Sequence, residues 1–196
     1  MNASDSFLIS AALRYEDYSD FGNTLNFKLA TRIELNDNLA VRSSISNGFR
    51  APSLTQIHYN LIFNNIIAGR SERTLLAANT STVAKSFGIE SLSEETANNF
   101  SAGLTYNNGG FSATIDAYSI SVDDRIILTD IFDATSLNVG ADAAQFFANG
   151  VDTRTTGLDV VFNYIQQLSN GGSVRASIAG NINDTEIQSI NSGNLD

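Results

Sequence analysis

Apolar and polar residues alternate along most of the chain, and this period of two predicts β-strands with one apolar and one polar face. In the first strand, Phe7–Tyr15, every odd-numbered position is apolar or aromatic. The second strand, Asn26–Leu35, and the third strand, which begins at Leu39, keep the same alternation. Asn36–Asn38 supplies the polar residues of a tight turn between them. The chain is therefore expected to open with three antiparallel strands.

The alternation returns in the second half of the chain and predicts further strands. Asn99–Tyr106 is joined to a strand that starts at Phe111 by a turn rich in Asn and Gly, Asn107–Gly110. That strand runs to Val122, and its parity slips by one residue, which predicts a β-bulge near Tyr118–Ile120. Two more strands and the turn between them are predicted at Thr156–Ile165, Gln166–Gly172 and Ser173–Asn183.

Short and long connections follow one another in turn. The three tight turns alternate with longer stretches at Glu16–Asn23, Asn47–Ser93 and Asp123–Asn149. Asn60–Ser93 shows no clear period, and only Ser71–Ser86 carries a weak indication of a short helix. Outer-membrane barrels have short periplasmic turns and long extracellular loops in this order. A soluble β-sandwich has no reason to separate its loops in this way.

Aromatic residues lie at both ends of the predicted strands. Tyr15 and Phe27 are beside a longer loop, whereas Tyr106, Phe111 and Tyr164 are beside the short turns. All five fall on the apolar parity of their strands. This placement predicts two aromatic girdles on either side of an apolar band, as in membrane barrels. A general preference of aromatic residues for strands does not predict clustering at both ends.

The alternation of the third strand stops at Gly48, where the chain reads Gly48-Phe49-Arg50-Ala51-Pro52-Ser53-Leu54. Pro52 is the only proline, and it has no N–H with which to continue a strand ladder. It also restricts Ala51 to extended conformations. The strand is therefore expected to leave the sheet at Gly48 and to begin a long excursion.

Composition favours a protein with one face that does not meet water. The 196 residues suffice for one ordinary domain, and only 16% of them are charged, against about 25% in soluble proteins. The net charge of −10 argues against nucleic acid as a partner. The chain has no cysteine, and it has no apolar run of the roughly 18 residues that a transmembrane helix needs. Met1–Asp5 does not resemble a signal peptide, so we expect the sequence to be a piece of a longer envelope protein.

Catalytic and metal chemistry find little support in the sequence. His58 is the only histidine, and no Gly-x-Ser-x-Gly elbow accompanies it, which disfavours a Ser-His-Asp triad. One histidine without cysteine does not make a zinc site. Asp123-Asp124 and the segment Asp130–Asp133 could bind calcium weakly, although acidic loops are usually only solvated. No catalytic, cofactor-binding or metal-binding residue is therefore assigned.

The polar parity of the strands carries charged residues that would face the lumen of a wide barrel. There they would meet water, a plug domain or one another, and we expect Glu34 to lie near Arg42 across the Asn36 turn. A solvated, ion-paired wall is favoured over a specific substrate site. The residues concerned are Arg14, Lys28, Arg32, Glu34, Arg42, Asp159 and Arg175.

Several segments resemble those of one protein family. Leu39–Tyr59 (LAVRSSISNGFRAPSLTQIHY) resembles a strand and loop in the barrel of TonB-dependent outer-membrane receptors, and Leu13–Gly22 resembles the strand and loop just upstream. Glu94–Leu104 resembles the family's Pro-Glu-x-x-x-Asn-x-x-x-Gly-Leu strand, with Ser93 in the place of the proline. Asp116–Ile126 and Asn149–Asp159 resemble a tyrosine-rich strand that ends in Asp-Arg-Ile and an Asn-x-Gly segment. The matches keep their order along nearly the whole chain.

This resemblance implies an all-β fold, an antiparallel meander of about seven strands within a transmembrane barrel of about 22 strands. Residues 1–196 would be part of that barrel, without its plug domain and its other strands. The resemblance implies TonB-driven uptake of a scarce nutrient, such as a siderophore, haem, cobalamin or a glycan. It gives Gly48–Leu54 a structural role and does not identify the residues that bind substrate. The alternatives are a secreted β-sandwich binding module and an outer-membrane enzyme.

The barrel interpretation predicts which residues face lipid. These share the apolar parity of the strands and are Ile9, Leu29, Ile33, Val41, Leu104, Ile115, Val160 and Phe162. A chain of about seven strands also leaves two unpaired sheet edges and an apolar face without lipid. On its own we expect it to self-associate, or to curl so that Leu29, Val41 and Phe162 form a core.

Overall fold

The computed structural model describes residues 2–4, 6–18, 22–67 and 69–191. Strands dominate these residues, with two five-residue α-helices and one turn of 3₁₀-helix at Thr135–Leu137. None of the described helices is long and apolar enough to cross a membrane. In chain order the strands and helices are β1 (Asn2–Ser4), β2 (Phe7–Tyr18), β3 (Gly22–Asn36), β4 (Leu39–Arg50), α1 (Leu54–His58), β5 (Leu61–Ile67), β6 (Arg70–Leu76), α2 (Thr82–Ser86), β7 (Glu95–Asn108), β8 (Phe111–Leu128), β9 (Phe132–Asp133), β10 (Ala143–Gln145), β11 (Phe147–Gln167) and β12 (Ser173–Ile190).

The long strands form one eight-stranded sheet in the order β1-β2-β3-β4-β7-β8-β11-β12. Apart from the short β1, these are the seven strands that the alternation predicts. β2 and β3 pair antiparallel without interruption from Phe7↔Ile33 to Tyr18↔Gly22. Directly opposed residues lie on the same face, so the period of two in each strand adds up to one apolar and one polar face. The expected antiparallel meander is confirmed, and β1 and β12 are the edges of the described sheet.

The sheet is longer than the alternation predicts, and two expected loops are shorter. β2 and β3 close on each other at Tyr18↔Gly22, so the expected long connection Glu16–Asn23 is mostly strand, and Ser19–Phe21 lies outside the described residues. β8 continues to Leu128 and β11 begins at Phe147, so Asp123–Asn149 is also partly strand. Charged residues at Glu16–Asp17 and at Asp123–Arg125 interrupt the alternation in these extensions, although the strands continue. The bulge expected near Tyr118–Ile120 stays a prediction.

The third strand leaves the sheet later than expected. β4 extends through Gly48 and Phe49 and ends at Arg50, two residues before Pro52. Glycine weakens a strand without stopping its hydrogen bonds, whereas proline removes a donor. The exit at Gly48 is therefore wrong, and the proline decides where the strand ends.

A second, four-stranded sheet forms in the segments that showed no period, in the order β5-β6-β10-β9. β5 and β6 pair antiparallel, and β10 pairs parallel with β6 and antiparallel with β9. The weak helix expected over Ser71–Ser86 is wrong for its first half, because β6 extends to Leu76 and only α2 is helical. These strands are short and packed on one another, so they carry no sustained period of two.

The chain divides into two compact units, named here the sheet unit and the loop unit. The sheet unit comprises Met1–Gly48, Ala97–Ser121 and Arg154–Glu186, and the loop unit comprises Phe49–Thr96, Val122–Thr153 and Ile187–Asp196. In the sheet unit the apolar face is open: Leu29 is 42% exposed and Ile33 43%. Tyr106, Phe111 and Phe162 contact one another on this face, with ring centroids 6.2 and 6.4 Å apart. Two of the aromatic residues beside the short turns, Tyr106 and Phe111, therefore form a row with Phe162.

The loop unit has a core of its own. Ala77, Ala84, Ile89, Ala134, Ala144 and Phe146 are buried together. Phe87 packs on Phe132 and Phe146, with centroids 5.5 and 5.2 Å apart. Half of this core comes from Asn60–Ser93 and half from Asp123–Asn149, so the two excursions fold as one structure.

Candidate functional site

The motif Gly48–Leu54 connects a strand to a helical turn within a few residues. Arg50 ends β4, Ala51 and Pro52 leave the strand, and Ser53 is the N-cap of α1. The Ser53 hydroxyl accepts a hydrogen bond from the Gln56 N–H at 3.2 Å, and the Gln56 Oε1 accepts one from the Ser53 N–H at 2.9 Å. This reciprocal capping box satisfies two N–H groups at the helix start. The motif has a structural role at this junction.

Arg50 forms an ion pair that joins three strands. Its guanidinium donates to both carboxylate oxygens of Glu95, the first residue of β7, and the Nε–Oε2 distance is 2.7 Å. The same carboxylate accepts from the backbone N–H of Ile126 in β8 at 2.7 Å. Only 8% of the Glu95 side chain is exposed, against 54% of Arg50. A bidentate, charge-assisted pair of this kind fixes both position and orientation.

The environment of Glu95 keeps it ionised. Burial alone would raise the pKa of its carboxyl group, but the hydrogen bonds from Arg50 and from the Ile126 N–H outweigh this effect. The pKa of Glu95 therefore lies below its ordinary value. Hydrogen bonding to Glu95 also raises the pKa of Arg50, although partial burial opposes it. The pair stays charged across the physiological range.

Sequence comparison with the family pattern left open which glutamate matters. With Ser93 in the place of the proline, the pattern assigns its glutamate to Glu94, but counting back from Gly103 assigns it to Glu95. The structure brings Glu95, not Glu94, to Arg50. Glu95 is the first residue of β7 and is buried, whereas Glu94 precedes the strand. The contact with Arg50 therefore belongs to Glu95, and the position of Ser93 in the family pattern stays a prediction.

Two asparagine side chains fasten the loop unit where it has no regular pairing. The buried Asn79 amide donates to the carbonyl oxygens of Glu90 at 2.8 Å and Phe147 at 3.2 Å, and it accepts from the Leu92 N–H. Asn149 exchanges hydrogen bonds with the backbone of Ser93 at 2.9 and 3.1 Å. Buried backbone groups need such partners when no strand is beside them. Sequence reasoning missed Asn79, because an asparagine in a loop gives no signal of burial, whereas Asn149 begins the segment Asn149–Asp159 of the family resemblance.

The acidic segments serve as turn caps. Asp133 accepts from the N–H and the hydroxyl of Thr135 at 2.9 and 2.7 Å, which lowers the pKa of Asp133. Asp130 accepts from the N–H of Ile131 at 2.8 Å. Within the described ranges, no three acidic, imidazole or thiol side chains converge as metal ligands. The weak calcium sites considered at Asp123-Asp124 and Asp130–Asp133 are not built there.

Asp152 forms a hydrogen bond with Asp124, a residue of β8 that has a left-handed backbone conformation. Asp124 has a φ of 56°, a left-handed conformation that is uncommon for a residue with a side chain. Its N–H donates to Asp152 Oδ1 at 2.9 Å. Partial burial and the carboxylates of Asp152, Asp123 and Glu94 raise the pKa of Asp124, whereas the Ser189 hydroxyl lowers that of Asp152.

The polar face of the sheet unit forms an open groove of about 530 Å³. The charged and aromatic residues that line it come from β3, β4, β8 and β11: Lys28, Arg32, Arg42, Asp116, Tyr118 and Asp159. Arg42 pairs with both carboxylate oxygens of Asp116, and the expected proximity of Glu34 to Arg42 stays a prediction. Glu34 lies opposite Ala40 and is 3.6 Å from Arg32. Arg14 pairs with Glu16 at 2.5 Å, and Arg175 lies on β12.

Two glycines let side chains cross over a strand of this face. Arg42 in β4 reaches Asp116 in β8 above Gly103, where an added Cβ would be 2.0 Å from Asp116 Oδ1. Tyr118 lies across Gly157, where a Cβ would be 2.3 Å from its ring, and it accepts from Asn181 at 3.1 Å. Gly in the interior of a strand often marks such a close approach. Sequence analysis noted neither bridge.

His58 is the last residue of α1 and is exposed. It is on the helix that the motif starts, and it lies in the loop unit together with the other residues of the Arg50 junction. The geometry of the described residues supports anchoring of loops and a polar groove, and it offers no arrangement for nucleophilic catalysis.

Comparison with known proteins points to one family. The family model described as "TonB dependent receptor-like, beta-barrel" matches residues 1–192. A comparison with curated protein sequences found no match. Among solved structures, the chain is similar to the siderophore receptor PirA from Pseudomonas aeruginosa, with a TM-score of 0.68 and 17% identity over 94% of this chain and 33% of that one.

Two other solved structures show the same likeness. The siderophore receptor PirA from Acinetobacter baumannii has a TM-score of 0.63 and 20% identity, over 83% of this chain and 24% of that one. The RagAB peptide importer has a TM-score of 0.64 and 19% identity, over 93% of this chain and 20% of that one. The chain thus spans a fifth to a third of the length of these structures. At such identities the likeness shows the fold.

Proposed function

The chain belongs to the TonB-dependent receptor-like β-barrel family of bacterial outer-membrane proteins, and from this we propose that it builds part of the wall and external loops of a nutrient transporter. Family membership rules out the alternative of a secreted β-sandwich module. The family and the similar structures are receptors and transporters rather than enzymes. The sheet supports the proposal, because within the described residues it ends at β1 and β12, where further strands of a barrel would pair.

We propose that the complete receptor contains a plug domain and further strands, and that it takes energy from TonB through that plug. The loop unit would lie outside the cell, since it contains the long connections and the turns opposite them are short. Loops held on a rigid strand scaffold are the usual place for ligand contacts. The Arg50–Glu95 pair supports this role, because within the loop unit it holds together the ends of β4, β7 and β8.

We propose an anionic, oxygen-rich ligand such as a ferric siderophore. The observation that carries this proposal is the groove on the polar face, which brings Lys28, Arg32 and Arg42 together on adjacent strands. Arg32 and Arg42 are directly opposite each other, an arrangement that is unfavourable unless anions compensate it. Asp116 compensates Arg42, while none of the ion pairs among the described residues includes Lys28. The similar siderophore receptors support the same ligand class.

Uptake by the complete receptor tests this function. The receptor would be produced in a strain that lacks its own iron receptors, and uptake of labelled ferric siderophores would be compared with haem, cobalamin, glycan and peptide. We expect siderophore uptake that disappears when TonB is deleted. Lys28→Gln should weaken siderophore binding several-fold, while the matched change Arg175→Gln on β12 should not. Uptake that persists without TonB would refute the proposal, and preference for haem, cobalamin, glycan or peptide would reassign the ligand.

We further propose that the apolar face of the sheet unit contacts outer-membrane lipid. Ile9, Leu29, Leu104 and Ile115 are between 37% and 45% exposed there. In water such a face promotes association. Light scattering should therefore show the isolated 196-residue chain as oligomers in buffer and as smaller particles in detergent. A stable monomer in buffer with Leu29, Val41 and Phe162 open to water would contradict this expectation.

A further inference from the structure

The loop unit carries an unprotected strand edge at β5 (Leu61–Ile67). β5 is the first strand of its four-stranded sheet, and among the described residues it has only β6 beside it. The opposite edge of that sheet is β9, which is two residues long. Natural sheets protect their edges with short strands, charges, proline or bulges. β5 uses none of these, because it is seven residues long, uncharged and paired to β6 in an unbroken register.

The outer face of β5 is apolar as well as unpaired. Ile66 is 78% exposed and Ile62 is 39% exposed. The N–H and C=O of Arg73, which lies opposite Asn64 in β6, are both bonded to Asp142 on the far side of β6, so Arg73 does not exchange hydrogen bonds with Asn64. Alternate residues of a strand direct their backbone groups to the same side, so those of Ile62, Asn64 and Ile66 point away from β6. The outward N–H of Ile66 is bonded to Asn65 Oδ1 at 3.0 Å, a local bond that a paired strand would replace. β5 therefore offers an outward row of backbone groups together with apolar side chains.

The sequence of β5 is complementary to itself. If two copies pair antiparallel about Asn64, Ile62 of each copy lies opposite Ile66 of the other, and Asn64 lies opposite Asn64. Opposed residues share a face in an antiparallel pair, so only registers centred on a residue are compatible with a continuous two-fold sheet. Centring on Phe63 or Asn65 would instead set isoleucine against asparagine. The register about Asn64 also places the outward backbone groups of the two copies against each other.

From this we propose that β5 is a self-association strand, through which two copies of this chain form a two-fold dimer with a continuous β-sheet. A second copy is the occupant that the edge fits, because the segment has no charge that would repel its own copy. One strand pair buries less area than a standard interface. The dimer is therefore reversible and concentration-dependent. This inference does not depend on which nutrient the receptor takes up.

Cysteine cross-linking in the detergent-solubilised complete receptor tests the register, since this chain contains no cysteine of its own. In the proposed pair the Asn64 Cα atoms are about 5.5 Å apart, within the range that a disulfide bridges. Asn64→Cys should give at least tenfold more cross-linked dimer under mild oxidation than Ser71→Cys. Ser71 is exposed on β6, and two β6 strands would be about 14 Å apart across the dimer. Equal yields for the two variants would overturn the proposal.

A charge variant tests the same surface without a covalent bond. Ile62→Lys together with Ile66→Lys sets lysines against each other across the dimer, and the dissociation constant should rise at least tenfold. The matched control is Leu54→Lys with Leu137→Lys, which adds the same charge at exposed apolar residues outside β5 and should leave it unchanged. Resistance of the loop unit to protease verifies that both variants fold. A receptor that is monomeric at high concentration, that binds only a segment of another protein, or that dimerises equally in all variants would refute the proposal.

Discussion

The loop unit buries many of its apolar side chains, whereas the sheet unit leaves most of them exposed. Nearly all the buried hydrophobic residues lie in the loop unit, and Ala40 is the exception in the sheet unit. In the sheet unit Leu13 is 74% exposed and Leu29 is 42% exposed. The loop unit has a packed apolar core, whereas the apolar face of the sheet unit is exposed. One chain thus combines a part with a buried core of its own and a part whose apolar face is exposed and, as proposed above, contacts lipid.

The largest expected difference between the units comes from removing a core aromatic ring. Phe146 is fully buried in the loop unit between Phe87 and Phe132. Phe146→Ala should destabilise the loop unit by about 3–5 kcal/mol, because the cavity forms where two loop segments meet. Hydrogen exchange of the loop residues in the complete receptor would measure the loss. Phe162→Ala in the sheet unit is the matched control, and equal loss of loop protection in both variants would contradict two separate cores.

The next largest effect tests the lipid-facing side of the sheet unit. Leu29 and Ala30 are neighbours on β3 with opposite faces. Leu29→Arg should cost about 2–4 kcal/mol if that position is near the middle of the bilayer. Ala30→Arg, on the polar face, should cost much less. Heat-modifiable migration of the receptor extracted from membranes reports assembly, and a reversed order of the two variants would show that the faces are assigned wrongly.

The difference between the units also explains what could be predicted from the sequence. A face that meets one solvent along its whole length gives a strict period of two, so β2, β3 and β7 were recognisable from residues such as Phe7, Ile9 and Ile33. In the loop unit, burial depends on contacts between distant segments. Ala84 and Ala144 are both fully buried, yet neither sequence neighbourhood shows a pattern that predicts it. The fold of the loops was therefore not predictable from local periodicity.

The residues of the candidate site also divide into those that could be recognised from the sequence and those that could not. The motif Gly48–Leu54 was recognisable because its residues are contiguous, and Pro52 and Ser53 act locally. The partner of Arg50 was not, because Glu95 is 45 residues away and joins it only through the order of β4 and β7 in the sheet. The same holds for Arg42 and Asp116, whose bridge needs Gly103 on the strand between them. A charged residue in a strand indicates which face of the sheet is polar. Its ion-pair partner on another strand can be identified only when the order of the strands in the sheet is known.

A smaller effect should come from the Arg50–Glu95 pair, as a pH dependence confined to the loop unit. The folded-state pKa of Glu95 is lowered, so its ionisation stabilises the fold above the unfolded pKa of about 4.3. That contribution is lost as the pH falls through the folded value. Glu95→Gln should destabilise the loop unit by about 1–3 kcal/mol at neutral pH and should flatten its acid dependence. Protease resistance of the loops, measured from pH 7 down to pH 3, should stay constant above the unfolded value and fall below it.

Glu94→Gln is the control for that measurement. Glu94 precedes the strand and does not pair with Arg50, so its replacement should leave the loop unit stable and its pH profile unchanged apart from a small effect on Asp124. If Glu94→Gln had the larger effect, the assignment of the Arg50 contact to Glu95 would be wrong.

The smallest expected effect separates two glycines of the sheet unit. At Gly157 an added Cβ would lie 2.3 Å from the Tyr118 ring, whereas at Gly180 it would meet Val160 at an ordinary 3.5 Å. Gly157→Ala should therefore cost about 1 kcal/mol, because Tyr118 must turn away and lose its hydrogen bond with Asn181. Gly180→Ala should be neutral or slightly stabilising, since alanine loses less backbone entropy than glycine in a strand. Thermal unfolding of the receptor in detergent would measure both changes.

Combining Gly157→Ala with Tyr118→Ala should remove most of the loss of stability caused by Gly157→Ala, because the two residues interact directly. A penalty that persists without the tyrosine ring would mean that the backbone at Gly157, and not the crossing side chain, requires glycine.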